Sequence, residues 1–141
     1  MNAEHPILPI PDAVMTRLRD KSPATRIAII GASNNPEKYG NIIPGNLKAK
    51  GYTVLPVNPK EETIQGLHVF KTPADLPDPV HIVTFVTPPK VTRAVLENLD
   101  PERFPLVWLQ DGSFDDEIIA LAEKNFETAI HHACIMVVSN Y

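Results

Sequence analysis

From Arg26 onward, short β-branched and apolar runs alternate with segments of helical spacing, the pattern of βαβ units wound into a parallel sheet with helices on both faces. Arg26-Ile27-Ala28-Ile29-Ile30 comes first, and its almost continuous apolarity is what burial on both sides of a sheet requires. Further strands are predicted at Tyr52 to Leu55, Leu67 to Phe70, His81 to Val86, Leu106 to Leu109 and Glu127 to Ile130. Between them the sequence predicts a helix from Asn41, as its cap, to about Lys50, with Pro44 in its first turn and Gly51 as its stop. A second helix starts at Thr87-Pro88-Pro89 and buries Val91, Ala94, Val95 and Leu99; a third covers Asp115 to Lys124. The expected fold is therefore α/β, a Rossmann-like, doubly wound and mainly parallel sheet of five or six strands with helices on both faces. Residues 1–24 are expected to form an accessory helix, Asp12 to Lys21, and a linker, leaving 25–141 as the main domain.

At 141 residues the chain buries roughly two thirds of its unfolded surface in one core, so it needs no staples, and its one cysteine excludes an internal disulfide. No apolar run approaches the roughly 18 residues of a membrane span, and MNAEHPILPIPD has no basic region like that of an export signal. The expected location is cytoplasmic. A net charge of −4 gives no global attraction to nucleic acid, although a small phosphorylated ligand can still find a local basic site. Proline is abundant, at 15 residues, and most of these prolines fall at strand ends or first turns of helices, where a fixed φ costs little.

In an open parallel sheet, ligands bind beyond the carboxyl ends of the strands where the strand order reverses. The loop after the first strand carries Gly31, Ser33, Asn34, Lys38 and Gly40: a glycine exit, hydroxyl and amide donors, a cation and a following helix N-terminus, a set that suits phosphate but can equally just turn the chain. It is not the dinucleotide fingerprint G-x-G-x-x-G, whose second and third glycines are replaced by Ser33 and Pro36, and no G-K-[ST] of a P-loop is present. After the second strand stand Asn58, Pro59 and Lys60. An NAD site places an acid there for the ribose hydroxyl, whereas a cation suits a phosphorylated ribose, so NADP or coenzyme A fits better than NAD. Thr87, Pro88 and Pro89 follow the fourth strand and can wall the same crevice or simply begin a helix. Gln110 and Gly112, after the fifth, can edge it, while Trp108 belongs to the core.

Catalytic constellations are scarce. His131 and His132, adjacent on an extended segment, are expected to point opposite ways, and no second Cys or His pair completes a zinc set. Cys134 reads as a small thiol at a strand end, and Asp111, Asp115, Asp116 and Glu117 as helix-capping charge.

Taken together, IAIIGAS with Pro36, Lys38 and Gly40, then GYTVLPVNP from Gly51 to Pro59, Ile64-Gln65-Gly66, VTPP from Val86 to Pro89, VWLQDG from Val107 to Gly112 and Ala133-Cys134-Ile135-Met136 resemble the stand-alone coenzyme A-binding domain proteins. That family is related in fold to the CoA-binding domain of the succinyl-CoA synthetase α subunit and of ADP-forming acyl-CoA synthetases. The resemblance implies CoA or acyl-CoA held at the carboxyl ends of the first, second and fourth predicted strands. Ser33, Asn34, Lys38 and Gly40 would hold phosphates, Asn58 and Lys60 the adenosine end, with Thr87 to Pro89 beside the ligand. HHACIM stands where the family more usually has an Asp or Glu-Arg-Cys-Ile run, so no arginine-dependent role is expected of this segment. The expected role is a non-catalytic binding or sensor module. An NADP-binding or partner-dependent, synthetase-like enzyme domain is the alternative. A lone cysteine beside a thiol cofactor also raises a disulfide between CoA and Cys134, provided the chain end lies within reach of the crevice.

Overall fold

The computed structural model describes residues 10–140. In order, α1 (Asp12–Asp20) precedes β1 (Arg26–Ile30), α2 (Tyr39–Ala49), β2 (Thr53–Val57), β3 (Thr63–Ile64), β4 (Leu67–His68), β5 (Ile82–Phe85), α3 (Pro89–Asn98), β6 (Leu106–Leu109), α4 (Asp116–Asn125), β7 (Thr128–His131) and α5 (Ile135–Val138). The main sheet has five strands in the order β2-β1-β5-β6-β7, and every pair in it is parallel.

Side-chain alternation along the strands builds two cores. Ile27 and Ile29 of β1, with Val54, Ile82 and Trp108, face α1, α2 and α5 through Val14, Leu18, Ile43, Leu47 and Ile135. Ala28 and Ile30, with Leu55, Val83, Phe85 and Val107, face α3 and α4 through Leu96, Ile118 and Ala122. This is the doubly wound, Rossmann-like architecture read from the alternation of elements. Trp108 is fully buried, and its indole N–H donates to the Ala133 carbonyl at 2.8 Å, so its one polar atom is satisfied in the core.

Several local expectations are corrected. α2 starts at Tyr39 with Lys38 as its cap residue; Asn41 lies inside its first turn and its amide reaches back to the Ser33 carbonyl at 2.9 Å. Pro44 therefore sits well inside the helix, where it has no N–H to give the Gly40 carbonyl, and that carbonyl accepts instead from the Ser33 N–H at 3.0 Å. β2 extends through Pro56 rather than ending before it. Pro56 turns its carbonyl outward to the Phe70 N–H at 2.9 Å, so its missing donor lies on the open edge and removes nothing from the ladder with β1. The strand predicted over Leu67 to Phe70 divides into a small β3–β4 hairpin and a single parallel bridge between Val57 and Phe70. In α3 the buried face is Thr92, Leu96 and the following Leu99, while Val91 is 44% exposed; the phase differs because polar Thr92 pairs with the Thr87 hydroxyl at 2.6 Å in the interior. α1 buries Val14 and Leu18 in the same cluster as β1 and α2. Among the described residues no helix is long and apolar enough to cross a membrane.

Candidate functional site

The strand order reverses between β1 and β5, because the chain leaves β1 toward β2 on one side and returns to β5 on the other. The loops leaving β1, β2 and β5 therefore diverge around a crevice at the carboxyl edge of the sheet. Gly31 makes the exit from β1 at φ +95°, and a Cβ there would lie 2.6 Å from the Thr87 methyl. Gly40 is closer still to its neighbours: a Cβ would stand 2.4 Å from the Gly31 carbonyl oxygen. The absence of two side chains lets the loop fold back on the first turn of α2.

A network of side-chain amides holds this fold-back against the segment after β2. Asn58 donates to the Ala32 carbonyl at 2.8 Å, and its oxygen accepts from the N–H groups of Lys60 and Glu61 at 2.7 and 3.2 Å. Asn34 donates to Glu61 Oε1 at 2.8 Å and to the Thr63 carbonyl at 2.9 Å. Gln65 donates to the side-chain oxygen of Asn41 at 2.9 Å, and Lys48 Nζ donates to the Gln65 carbonyl at 2.8 Å. The Ser33 hydroxyl accepts from the Asn35 N–H at 3.0 Å. Asn34 and Asn58, expected from sequence beside the ligand, thus bond to the loops themselves.

Two cations at this edge are uncommitted. Among the described residues neither Lys38 nor Lys60 has a side-chain hydrogen bond or ion pair, whereas Lys48 and Lys71 are held, the latter by Glu62 at 3.4 Å and the Glu61 carbonyl at 2.8 Å. Lys38 caps α2, and the N–H groups of Tyr39 and Gly40 that follow it have no acceptor among the described residues. Open helix N–H groups and a cationic cap residue are a combination that attracts phosphate oxygens.

The other wall is built from β5, β6 and the chain after β7. Thr87 is buried, Pro88 caps α3 and Pro89 is its first residue. Tyr39, Val86, Gln110, Asp111 and Cys134 enclose a cavity of about 150 Å³. Gln110 joins this wall together: its Nε2 lies 3.5 Å from the Cys134 sulfur and its Oε1 accepts from the buried Ile135 N–H at 3.0 Å. Gly112 has φ +88° and open space where a Cβ would be. Lys50 donates to the Met136 carbonyl at 2.8 Å and the Ser139 hydroxyl at 2.7 Å. Burial and the neighbouring Lys21 hold its pKa below the usual lysine value, with Cys134 pulling the other way.

The structure brings Gly31, Ser33, Asn34, Lys38, Gly40, Asn58, Pro59 and Lys60 to the β1–β2 side, and Thr87, Pro88, Pro89, Gln110 and Gly112 to the β5–β6 side. Sequence gives Tyr39 no role, Asn41 only that of a helix cap and Gln65 only a place in a turn motif. The side-chain bonds of Asn41 and Gln65 show them bracing the loop, and Tyr39 lines the cavity beside Cys134. The adjacent histidines do not point apart: His132 takes φ +60°, and the two Nδ1 atoms lie 2.6 Å from each other.

A family profile described as "CoA binding domain" matches residues 25–140. The chain belongs to the CoA-binding domain family. This domain is similar to a subunit named acetate–CoA ligase [ADP-forming] II subunit alpha from Pyrococcus furiosus, 41% identical over 71 residues, which are 50% of this chain and 16% of that subunit. It therefore spans a small part of that ligase subunit. It is also 25% identical over 112 residues to an uncharacterized protein of Bacillus subtilis, covering 79% of this chain and 83% of the other. Among solved structures, a hypothetical protein from Pyrococcus horikoshii aligns over 99% of this chain and 97% of its own with a TM-score of 0.82 and 28% identity. A conserved hypothetical protein from Pyrococcus furiosus aligns over 80% and 97% with a TM-score of 0.75 and 42% identity.

Proposed function

We propose that this CoA-binding domain holds coenzyme A or an acyl-CoA in the crevice at the carboxyl ends of β1, β2 and β5, as a binding or sensor module. The observation that carries the reading is the open N-terminus of α2 at the sheet's switch point, together with two lysines of the neighbouring loops, Lys38 and Lys60, whose side chains have no partner among the described residues. Lys38, with the N–H groups of Tyr39 and Gly40, faces the pyrophosphate; Lys60 meets the ribose phosphate. Asn34 and Asn58 act one step back, by fixing the loop that carries Lys60. Thr87 to Pro89, Gln110 and Gly112 flank the pantetheine arm, whose thiol end points toward the cavity where Cys134 stands.

The likeness to a ligase subunit supports a second reading, a domain that contributes CoA to a reaction completed by other chains. Titration calorimetry with CoA, NADP and NAD tests the first. CoA is expected to bind most tightly; tighter binding of NADP would contradict the assignment and favour a nicotinamide enzyme domain.

A further inference from the structure

At the opposite edge of the sheet, the amino ends of β5, β6 and β7 and the start of α1 enclose a cleft of about 400 Å³, within the range of roughly 300–1,000 Å³ common for small-molecule sites. Val14, Val80, Ile82 and Leu106 supply apolar wall, and Arg17 and His81 reach it as polar groups. His81 is fixed in place: its backbone N–H donates to the Arg26 carbonyl at 2.9 Å and its ring Nδ1 accepts from the Arg26 backbone N–H at 3.1 Å. The neutral ring therefore carries its proton on Nε2, which has no acceptor among the described residues. Nor does the Arg17 guanidinium meet a carboxylate among them, and Arg26 gives its Nε to the Pro79 carbonyl. Exposed Glu127 is the one acid of the lining. The cleft thus joins an unpaired guanidinium and a free imidazole N–H to an apolar trough.

We propose that this cleft binds a small aliphatic carboxylate, its carboxylate between Arg17 and His81 and its hydrocarbon tail along Val14, Val80, Ile82 and Leu106. Arg17 offers a planar two-pronged donor and His81 a single N–H, which together match the two oxygens of one carboxylate. A bare inorganic anion leaves the apolar walls unfilled, and a neutral chain leaves both donors without an acceptor. The site also has a pH signature. Burial, then Arg17 and Arg26, hold the His81 pKa below the ordinary histidine value. An anion seated between them offsets both cations, raises that pKa and so takes up a proton on binding; affinity strengthens as pH falls below neutral while the ligand stays ionised.

Octanoate is a suitable probe, with the full chain in calorimetry and the His81 ring proton followed by NMR. The expected results are saturable binding of octanoate, weaker binding of octanol, a raised His81 pKa in the complex and a loss of about tenfold in affinity on Arg17→Ala. Arg17→Lys should restore part of it. Arg17 is exposed on α1, at the edge of the sheet opposite the crevice, so unchanged CoA binding by Arg17→Ala verifies that the variant is folded. Absence of octanoate binding, equal binding of octanol, an unmoved His81 titration or full affinity in Arg17→Ala would each overturn the proposal.

Discussion

The two walls of the crevice are built on different physical principles. The β1–β2 wall is a loop folded onto a helix, possible because Gly31 and Gly40 carry no side chain and kept in shape by the amides of Asn34, Asn41, Asn58 and Gln65. The β6–β7 wall is a chain end hung on a few groups: Trp108 on the Ala133 carbonyl, Gln110 on the Ile135 N–H, and Lys50 on Met136 and Ser139. In the first, the side-chain amides brace the loops through backbone carbonyls and one another, while among the described residues the ammonium groups of Lys38 and Lys60 have no side-chain partner. The second presents a thiol to a small cavity lined also by Tyr39, Val86, Gln110 and Asp111. On the reading proposed above, the first wall meets the phosphates of CoA and the second its thiol end.

That contrast is broken most severely at Gly40. Gly40→Ala places a methyl group 2.4 Å from a carbonyl oxygen that belongs to backbone and cannot rotate away. The expected loss is about 1–3 kcal/mol of stability in chemical denaturation, as for overpacked sites, with CoA affinity falling by about tenfold or more because the loop must open. Gln110→Ala attacks the other wall. It leaves the fully buried Ile135 N–H without its acceptor and should cost about 1–3 kcal/mol. Binding of adenosine 3′,5′-bisphosphate, which has phosphates but no pantetheine arm, should nevertheless stay within about twofold; a large loss would show that the walls are coupled.

Asn34→Ala sharpens the difference on a smaller scale. One amide joins the β1 loop to Glu61 and Thr63 at an exposed position, so the stability loss should be about 0.5–1.5 kcal/mol, with a few-fold weaker CoA binding measured by calorimetry. The smallest effect belongs to Cys134. Cys134→Ala should leave CoA affinity unchanged, because the thiol contributes no charge to the phosphate wall. Oxidised CoA is the informative reagent here: the Cys134 thiolate attacks its disulfide, one CoA leaves as a thiol, and the protein gains one CoA in mixed disulfide. Intact mass spectrometry should show that adduct on the unmutated protein and lose it in Cys134→Ala. No added mass on the unmutated protein would mean the cavity does not receive the thiol end.

Much of the fold was legible because its signals are local. β1 reads as a doubly buried strand from five consecutive residues, and Trp108 reads as core from its place in one. The phase of α3 was not, because Thr92 is polar yet buried, and only its bond to Thr87 explains why. Pro44 and Pro56 were misplaced for the same reason. Each stands where a proline should interrupt an element, and a partner distant in sequence, Ser33 for one and Phe70 for the other, takes over the affected carbonyl or lies on the unpaired edge. In the crevice, the loops that residue types singled out lie together at the carboxyl edge of the sheet. What they could not convey is division of labour: Asn34 and Asn58 look like ligand donors in a sequence, and geometry makes them braces. The histidine pair failed through one dihedral angle, since His132 at φ +60° abandons the extended backbone on which opposite-facing side chains depend.

The central claim is that the β1–β2 wall recognises phosphate charge through Lys60. Calorimetry with CoA and dephospho-CoA, on the unmutated protein and on Lys60→Ala, tests it most directly. A charge-assisted bond to the ribose phosphate contributes on the order of 1.5–3 kcal/mol, so the unmutated protein should prefer CoA by roughly 10- to 150-fold. Lys60→Ala should lose most of that preference and keep its dephospho-CoA affinity. Equal affinity for the two ligands in the unmutated protein, or an unchanged preference in Lys60→Ala, would contradict the account.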